Sequence, residues 1–253
     1  MSTLKKYKNR ILAILLWILI WQGFSMYLDN EILLASPLNV LKALYTLLHS
    51  KVFYFSIFHS LVKISVGFLL AVVFGILLAL FSSMNSFIKE MISIMIRLMK
   101  SIPVASFVIL TLLWVRSQNL SIIISFLMVL PIIYLNVLHG IQQTDVKLLE
   151  MAKVFNMSFI RKVRYIYIPA VMPYFISASS ASLGLCWKAG VAAEVIGLPR
   201  NSIGEQLYEA KLYLMTKELF AWTFVIVLIS LVFERFVMAI IRRIGKLMTG
   251  ASI

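Results

Sequence analysis

Six apolar runs, each near the roughly 20 residues that cross about 30 Å of hydrocarbon, divide this sequence. They fall near residues 11–28, 57–81, 91–115, 120–138, 170–190 and 219–241. Hydrophobic residues make up 62% of the 253 and charged residues only 13%, and the mean hydropathy is +0.97. That is more apolar surface than a soluble core of this length can hide. The expectation is an all-α polytopic membrane protein of about six transmembrane helices, forming one transmembrane domain over residues 1–253.

The formal net charge of +14 raises the question of nucleic acid, and the placement of the charges answers it. With the N-terminus inside, Lys5, Lys6, Lys8, Arg10, Lys89, Arg97, Lys100, Lys147, Lys153, Arg161, Lys162, Arg164, Arg242, Arg243 and Lys246 fall at or near the cytoplasmic side. Lys42, Lys51, Arg116, Lys188, Arg200, Lys211 and Lys217 fall on the outer segments. This positive-inside bias predicts both termini in the cytoplasm (N-in/C-in) and accounts for the basicity with no nucleic acid as partner. The basic stretch before the first run resembles the start of a signal peptide, but no small-residue cleavage site follows it. Trp17, Trp21, Gln22 and Tyr27 continue the run, so a retained first helix with interfacial aromatics is expected. Cys186 has no second cysteine to pair with and reads as a small buried apolar residue.

Two outer segments read as short external amphipathic helices. In the first, Ser36 is placed to cap and Pro37 suits the first helical position, where its missing amide costs nothing. Leu38, Leu41, Leu44 and Leu48 share one face, with Asn39, Lys42, Thr46 and His49 on another, as on a helix that lies on the membrane surface or packs on neighbouring helices. In the second, Ser202 and Glu205 fit a capping box, followed by an apolar stripe of Ile203, Leu207, Ala210 and Leu214. The second run carries Gly67, Ala71, Gly75 and Ala79 at four-residue intervals, a spacing that lets helices approach closely within one subunit or between two. Pro103 interrupts the third run, where a bend is expected, and Pro131 predicts a kink in the fourth.

The longest polar interruption, residues 140–169, contains a basic, helix-turn-helix-like stretch from Glu150 to Pro169. Thr144–Phe155 suits a helix lying along the cytoplasmic face. Asn156 ends it, because asparagine after glycine most readily takes the left-handed conformation. Ser158 is placed to cap a second helix that runs to the membrane entry at Ile168 and Pro169.

The spacing of Glu150, Ala152, Asn156, Ile166 and Ile168-Pro169 resembles the coupling loop of permease subunits of ATP-driven (ABC) importers, the MetI-like inner-membrane components. In that family the pattern is Glu-Ala-Ala, three variable residues, Gly, nine variable residues, Ile, one variable residue, Leu-Pro. Met151 replaces the first alanine, Asn156 the glycine, and Ile168 the leucine. A polybasic loop lying near anionic lipid is the plainer reading of Lys153, Arg161, Lys162 and Arg164. The segment Ser36 to Leu44 and the stretch Trp187 to Glu194, with Ile203 to Glu205, look like the nitrate, sulfonate, taurine and thiamine-precursor group.

The resemblance implies a permease, not an enzyme, that forms the translocation pathway for a small solute such as a sulfonate, nitrate or vitamin precursor. It implies a cytoplasmic coupling helix with Glu150, Ala152, Asn156, Met157, Ile166, Ile168 and Pro169 as the ATPase-coupling residues. Its partners would be two ABC ATPase subunits, which bind the ATP and Mg, a second permease copy as a homodimer, an extracytoplasmic substrate-binding protein and the lipid bilayer. The location would be a bacterial or archaeal cytoplasmic membrane.

The chain itself carries no phosphate loop, His-Glu-x-x-His metal site or Gly-x-Ser-x-Gly turn, so no cofactor, catalytic or metal residue is expected in it. His49, His59 and His139 sit at run edges as hydrogen-bonding groups. Charges inside apolar runs mark candidates for function: Lys63, Lys188 and Glu194 for pathway or gate, the last two beside flexible Gly190 and Gly197. Snorkelling is the alternative for the two lysines, and Glu234 and Arg235 read as satisfied between helices. Lys188 and Glu194 are six apart, so they need separate partners or a helix break near Gly190. An ion-coupled secondary transporter would show an internal repeat, and none is evident between 11–115 and 120–241. A vitamin-type energy-coupling-factor membrane subunit would carry Ala-Arg-Gly-like signatures that are absent here.

Overall fold

The computed structural model describes residues 2–249, and every regular element among them is helical. The side chains of Lys5, Lys6 and Arg10, part of the basic N-terminal cluster, lie outside the described set. The elements are α1 (Ser2–Leu28), α2 (Pro37–Leu48), α3 (Lys51–Met84), α4 (Ser86–Ser101), α5 (Val104–Leu112), α6 (Leu120–Gln142), α7 (Val146–Val154), α8 (Phe159–Lys162), α9 (Ile168–Gly197), α10 (Ile203–Leu212) and α11 (Thr216–Thr249). Five helical segments are long and apolar enough to cross a membrane, and α4 with α5 makes a sixth if the bent pair counts as one crossing. Large apolar side chains such as Ile14, Leu19, Leu69, Val73, Val232 and Phe236 face outward, as a surface in contact with lipid requires.

The third expected span is not one rod. α4 and α5 meet at 102°, with Ile102 extended and Pro103 starting the second helix. Proline has no amide to continue α4, and its ring holds the preceding residue out of the helical region. α5, with 9 residues, is about 13 Å long, roughly half a crossing. α4 is amphipathic: Ile92 and Ile96 are buried, while Arg97 and Lys100 are exposed.

α3, α6 and α9 form the centre. A Cβ on Gly67 would lie 2.4 Å from the Ile122 carbonyl oxygen, and one on Gly75 2.8 Å from Ile133 Cγ2. Ala71 and Ala79 are fully buried on the same stripe, so its close contact is made to α6 within this chain. Gly190 is likewise a packing position rather than a flexible one. A Cβ there would meet Ile64 Cγ1 at 2.6 Å and Ser125 Oγ at 2.8 Å, the point where α3, α6 and α9 converge. α9 accordingly runs unbroken past Gly190 to Gly197, and α6 continues through Pro131. α11 closes the bundle, with Phe233 edge-on to Trp187 and Trp222 against Phe53.

Both short helices start as their sequences predict. Ser36 Oγ accepts from the Asn39 amide at 3.3 Å ahead of Pro37, and Ser202 Oγ accepts from the Glu205 amide at 3.0 Å. The reciprocal bond of the second box is displaced by one residue, because Glu205 Oε2 accepts from the Asn201 amide, not that of Ser202. Asn201 is left-handed, with φ 58°, which turns its amide toward the helix it precedes. The packed face of α2 is narrow. Val40 and Ala43 are buried with Leu44 and Leu47 beside them, whereas Leu38, Leu41 and Leu48 face outward. In an apolar surrounding the large leucines gain nothing by turning inward, and the smaller residues allow the closer helix contact. On α10, Ile203 and Ala210 are buried and Leu207 packs on the core, but Leu214 lies past the helix and is exposed.

Candidate functional site

The corner between α7 and α8 is built by local chemistry. Asp145 caps α7 by accepting from the Lys147 amide at 2.9 Å. At the other end, the Met157 amide donates to the Ala152 carbonyl at 2.9 Å and the Asn156 amide to the Lys153 carbonyl at 3.1 Å. These two bonds form a Schellman termination, whose pivot must be left-handed. That pivot is Asn156, with φ 47°. Ser158 precedes α8 without capping it, and its Oγ accepts from Arg161 Nε at 3.3 Å instead. α8 then passes through a single π-helical turn, Val163–Tyr167, directly into α9, so the expected second helix and the fifth span form one rod. The wide turn stands just before Pro169, whose ring and missing amide disturb the helical ladder.

The expected coupling residues separate by burial. Ala152 and Ile166 are buried, Met157, Ile168 and Pro169 are half-buried, and Glu150 and Asn156 are exposed. Around the pivot, Val154, Phe155, Phe159 and Ile160 are 74–78% exposed. Lys153 and Arg161 are exposed beside them. The tip is therefore apolar with a basic surround, mounted on a firm base. At that base, a Cβ on Gly140 of α6 would lie 3.0 Å from Val171 Cα and from Tyr174 Cδ2 of α9. His139 packs edge-on to Tyr174 at 5.2 Å in the same place.

At the opposite end of the bundle the three charged candidates have different surroundings. Lys63 Nζ donates to Asn119 Oδ1 at 2.9 Å. Lys188 is exposed on α9, on a face with Ala181 and Ala192. Glu194 is fully buried. Its Oε2 accepts from Ser60 Oγ at 2.7 Å and from the Gly204 amide at 3.3 Å, and its Oε1 from Ser121 Oγ at 3.0 Å. Lys188 and Glu194 thus have separate environments on one continuous helix. Glu234 and Arg235 line a cleft between α9 and α11 with Ser180 and Arg242.

Sequence reasoning missed Ser60, Ser121 and Gly204 as partners of Glu194, and Phe155, Phe159 and Ile160 as the exposed tip. The serines give no local signal, being 134 and 73 residues away from Glu194. The tip had one: bulky apolar residues directly flanking a left-handed pivot.

The sequence pattern of the family described as binding-protein-dependent transport system inner membrane component matches residues 71–249. A bicarbonate transport system permease protein of Synechococcus elongatus is 24% identical over 255 residues, covering 93% of this chain and 91% of its own length. A nitrate import permease protein of the same organism is 26% identical over 204 residues, 76% of this chain and 73% of that protein. A taurine transport system permease protein of Escherichia coli is 23% identical over 239 residues, 92% and 86%. The helical bundle and these matches agree, and the chain belongs to the family of binding-protein-dependent transport system inner membrane components, the permease subunits of ABC importers.

Proposed function

We propose that this chain forms the translocation pathway of an ATP-driven importer and that its α7–α8 corner is the cytoplasmic surface gripped by the ATPase. The observation that carries this reading is the exposed tip of Val154, Phe155, Phe159 and Ile160 around a pivot fixed at Asn156. Apolar side chains exposed outside the membrane spans are covered when a partner groove receives them, as an amphipathic helix fills a groove. Because α6 and α9 pack tightly at the base of the corner, a push on it would reach the spans with little loss. Glu150 and Asn156 are then the surface residues of the contact, with Ala152, Met157, Ile166, Ile168 and Pro169 holding the corner in shape.

The full assembly in this reading has two permease copies, two ATPases carrying ATP and Mg, and an extracytoplasmic binding protein, with both termini of this chain in the cytoplasm. The cargo is a small solute, with an anion favoured. Bicarbonate, nitrate and taurine, named for the relatives, all carry anionic oxygen groups, and Lys188 and Lys63 at the outer half of the bundle suit them. Purifying the chain together with the products of neighbouring genes tests the reading. Co-purification of a nucleotide-binding subunit supports it, and stable ATP-independent transport by the lone chain excludes it.

A further inference from the structure

The amino end of α10 is held by groups that belong to other helices. Its first three amides all have acceptors: Ile203 donates to Ser60 Oγ at 3.0 Å, Gly204 to Glu194 Oε2 at 3.3 Å, and Glu205 to Ser202 Oγ at 3.0 Å. Only the last acceptor is local. Ser60 Oγ in turn donates to Glu194 Oε2 at 2.7 Å, so α9, α3 and α10 meet at one carboxylate oxygen, and Ser121 of α6 donates to the other. A negative group at a helix amino end is electrostatically favourable, and a buried one strongly so.

Contact at this point is as close as the backbone allows. A Cβ on Gly204 would lie 2.3 Å from Glu194 Cβ and 2.4 Å from its carbonyl carbon, so α10 seats only because residue 204 is glycine. Tight left-handed corners flank the element, at Leu198 and Asn201 before it and Leu214 after it. On the preceding turn of α3, Ser56 Oγ and His59 Nδ1 are buried without a hydrogen-bond partner. The seated arrangement therefore satisfies every amide at the start of α10 while leaving nearby polar atoms of α3 unpaired. Buried unpaired groups favour any alternative state that pairs or hydrates them.

We propose that the Glu194 carboxylate is a latch: it holds α10 seated on α3, α6 and α9, and its release lets α10 lift as the outer gate of the pathway. This deepens the permease reading and rests on it for the word gate. In this role Glu194 is a positioning residue that acts through α10, and the solute need not touch it. An acceptor is required at Oε2, where both donors converge. At Oε1 a donor also serves, because the Ser121 hydroxyl can turn to accept. Glutamine in the flipped orientation meets both demands and alanine meets neither.

The test is a distance measurement on the full-length chain in lipid nanodiscs, with spin labels at the exposed positions Glu209 on α10 and Lys51 on α3. The unsubstituted background gives one short distance. Glu194→Ala moves the population toward a longer distance, changing the seated-to-lifted ratio by about tenfold or more, the size expected for a lost charge-assisted bond. Glu194→Gln restores the short distance. Ser60→Ala, which keeps the carboxylate but removes two of the links, gives an intermediate mixture and serves if Glu194→Ala fails to fold. An unchanged distance in both alanine variants, or a Glu194→Gln variant as displaced as alanine, overturns the latch. Uptake by the assembled transporter is read separately: no uptake in the unsubstituted protein contradicts the permease reading while leaving the distance result to decide the latch.

Discussion

The two ends of the bundle use polar and apolar groups in opposite ways. At the α10 end a carboxylate, two serine hydroxyls and two backbone amides are all buried and satisfy one another. At the α7–α8 end the backbone is satisfied by its own local turn, and large apolar side chains are left exposed. Internal pairing fixes a conformation within the chain, whereas exposed apolar surface beside a rigid turn is available to another molecule. In the proposed reading the first end holds a pose and the second receives a contact.

Substitutions break this comparison in a definite order. Gly204→Val has the largest expected effect, because its side chain must displace the backbone of Glu194; overpacking of this kind costs about 3 kcal/mol. Thermal unfolding in mild detergent should show the loss, and hydrogen exchange should show the α10 amides freed with α7 unchanged. Asn156→Val comes next, since a β-branched residue at φ 47° costs roughly 1–2 kcal/mol. Its signature is the reverse, with α7 and α8 loosened, α10 intact, and ATP hydrolysis uncoupled from uptake. Asn156→Gly sharpens the point: glycine takes that conformation freely, so stability should change by less than about 0.5 kcal/mol and coupling should persist.

Phe155→Ala and Ile160→Ala leave the isolated chain within about 0.5 kcal/mol of its original stability, as exposed positions do, yet weaken association with the ATPase by about tenfold if they are anchors. Binding of the purified subunits in nanodiscs measures both. Among the disruptive substitutions the smallest effect belongs to Glu150→Lys, which leaves the fold unaltered and lowers association about two- to fivefold, in proportion to one reversed surface charge.

What could be read from the sequence was what neighbouring residues determine among themselves. Ser36 with Pro37, the break at Pro103, the left-handed Asn156 and the Ser202 cap all follow from chemistry within a few positions. The stripe from Gly67 to Ala79 was also legible as helix contact, though only the structure shows that α6 fills it. Which face of α2 packs inward could not be read from its leucines, because lipid is as apolar as a protein core and hydrophobicity alone does not separate inside from outside. The break at Pro103 was foreseen, but not that the stretch from 91 to 115 would become an amphipathic helix and a half-length one. Glu194 stood out as a charge in an apolar run, yet its partners come from three other elements and leave no trace in the residues beside it.

Photo-crosslinking from position 155 in the assembled transporter tests the central claim most directly. A photoreactive side chain at Phe155 should form an adduct with the ATPase, while one at Glu209 on α10 should form none. Adducts from position 155 with lipid or the binding protein alone, and from position 209 with the ATPase, would contradict the assignment of the α7–α8 corner as the docking end.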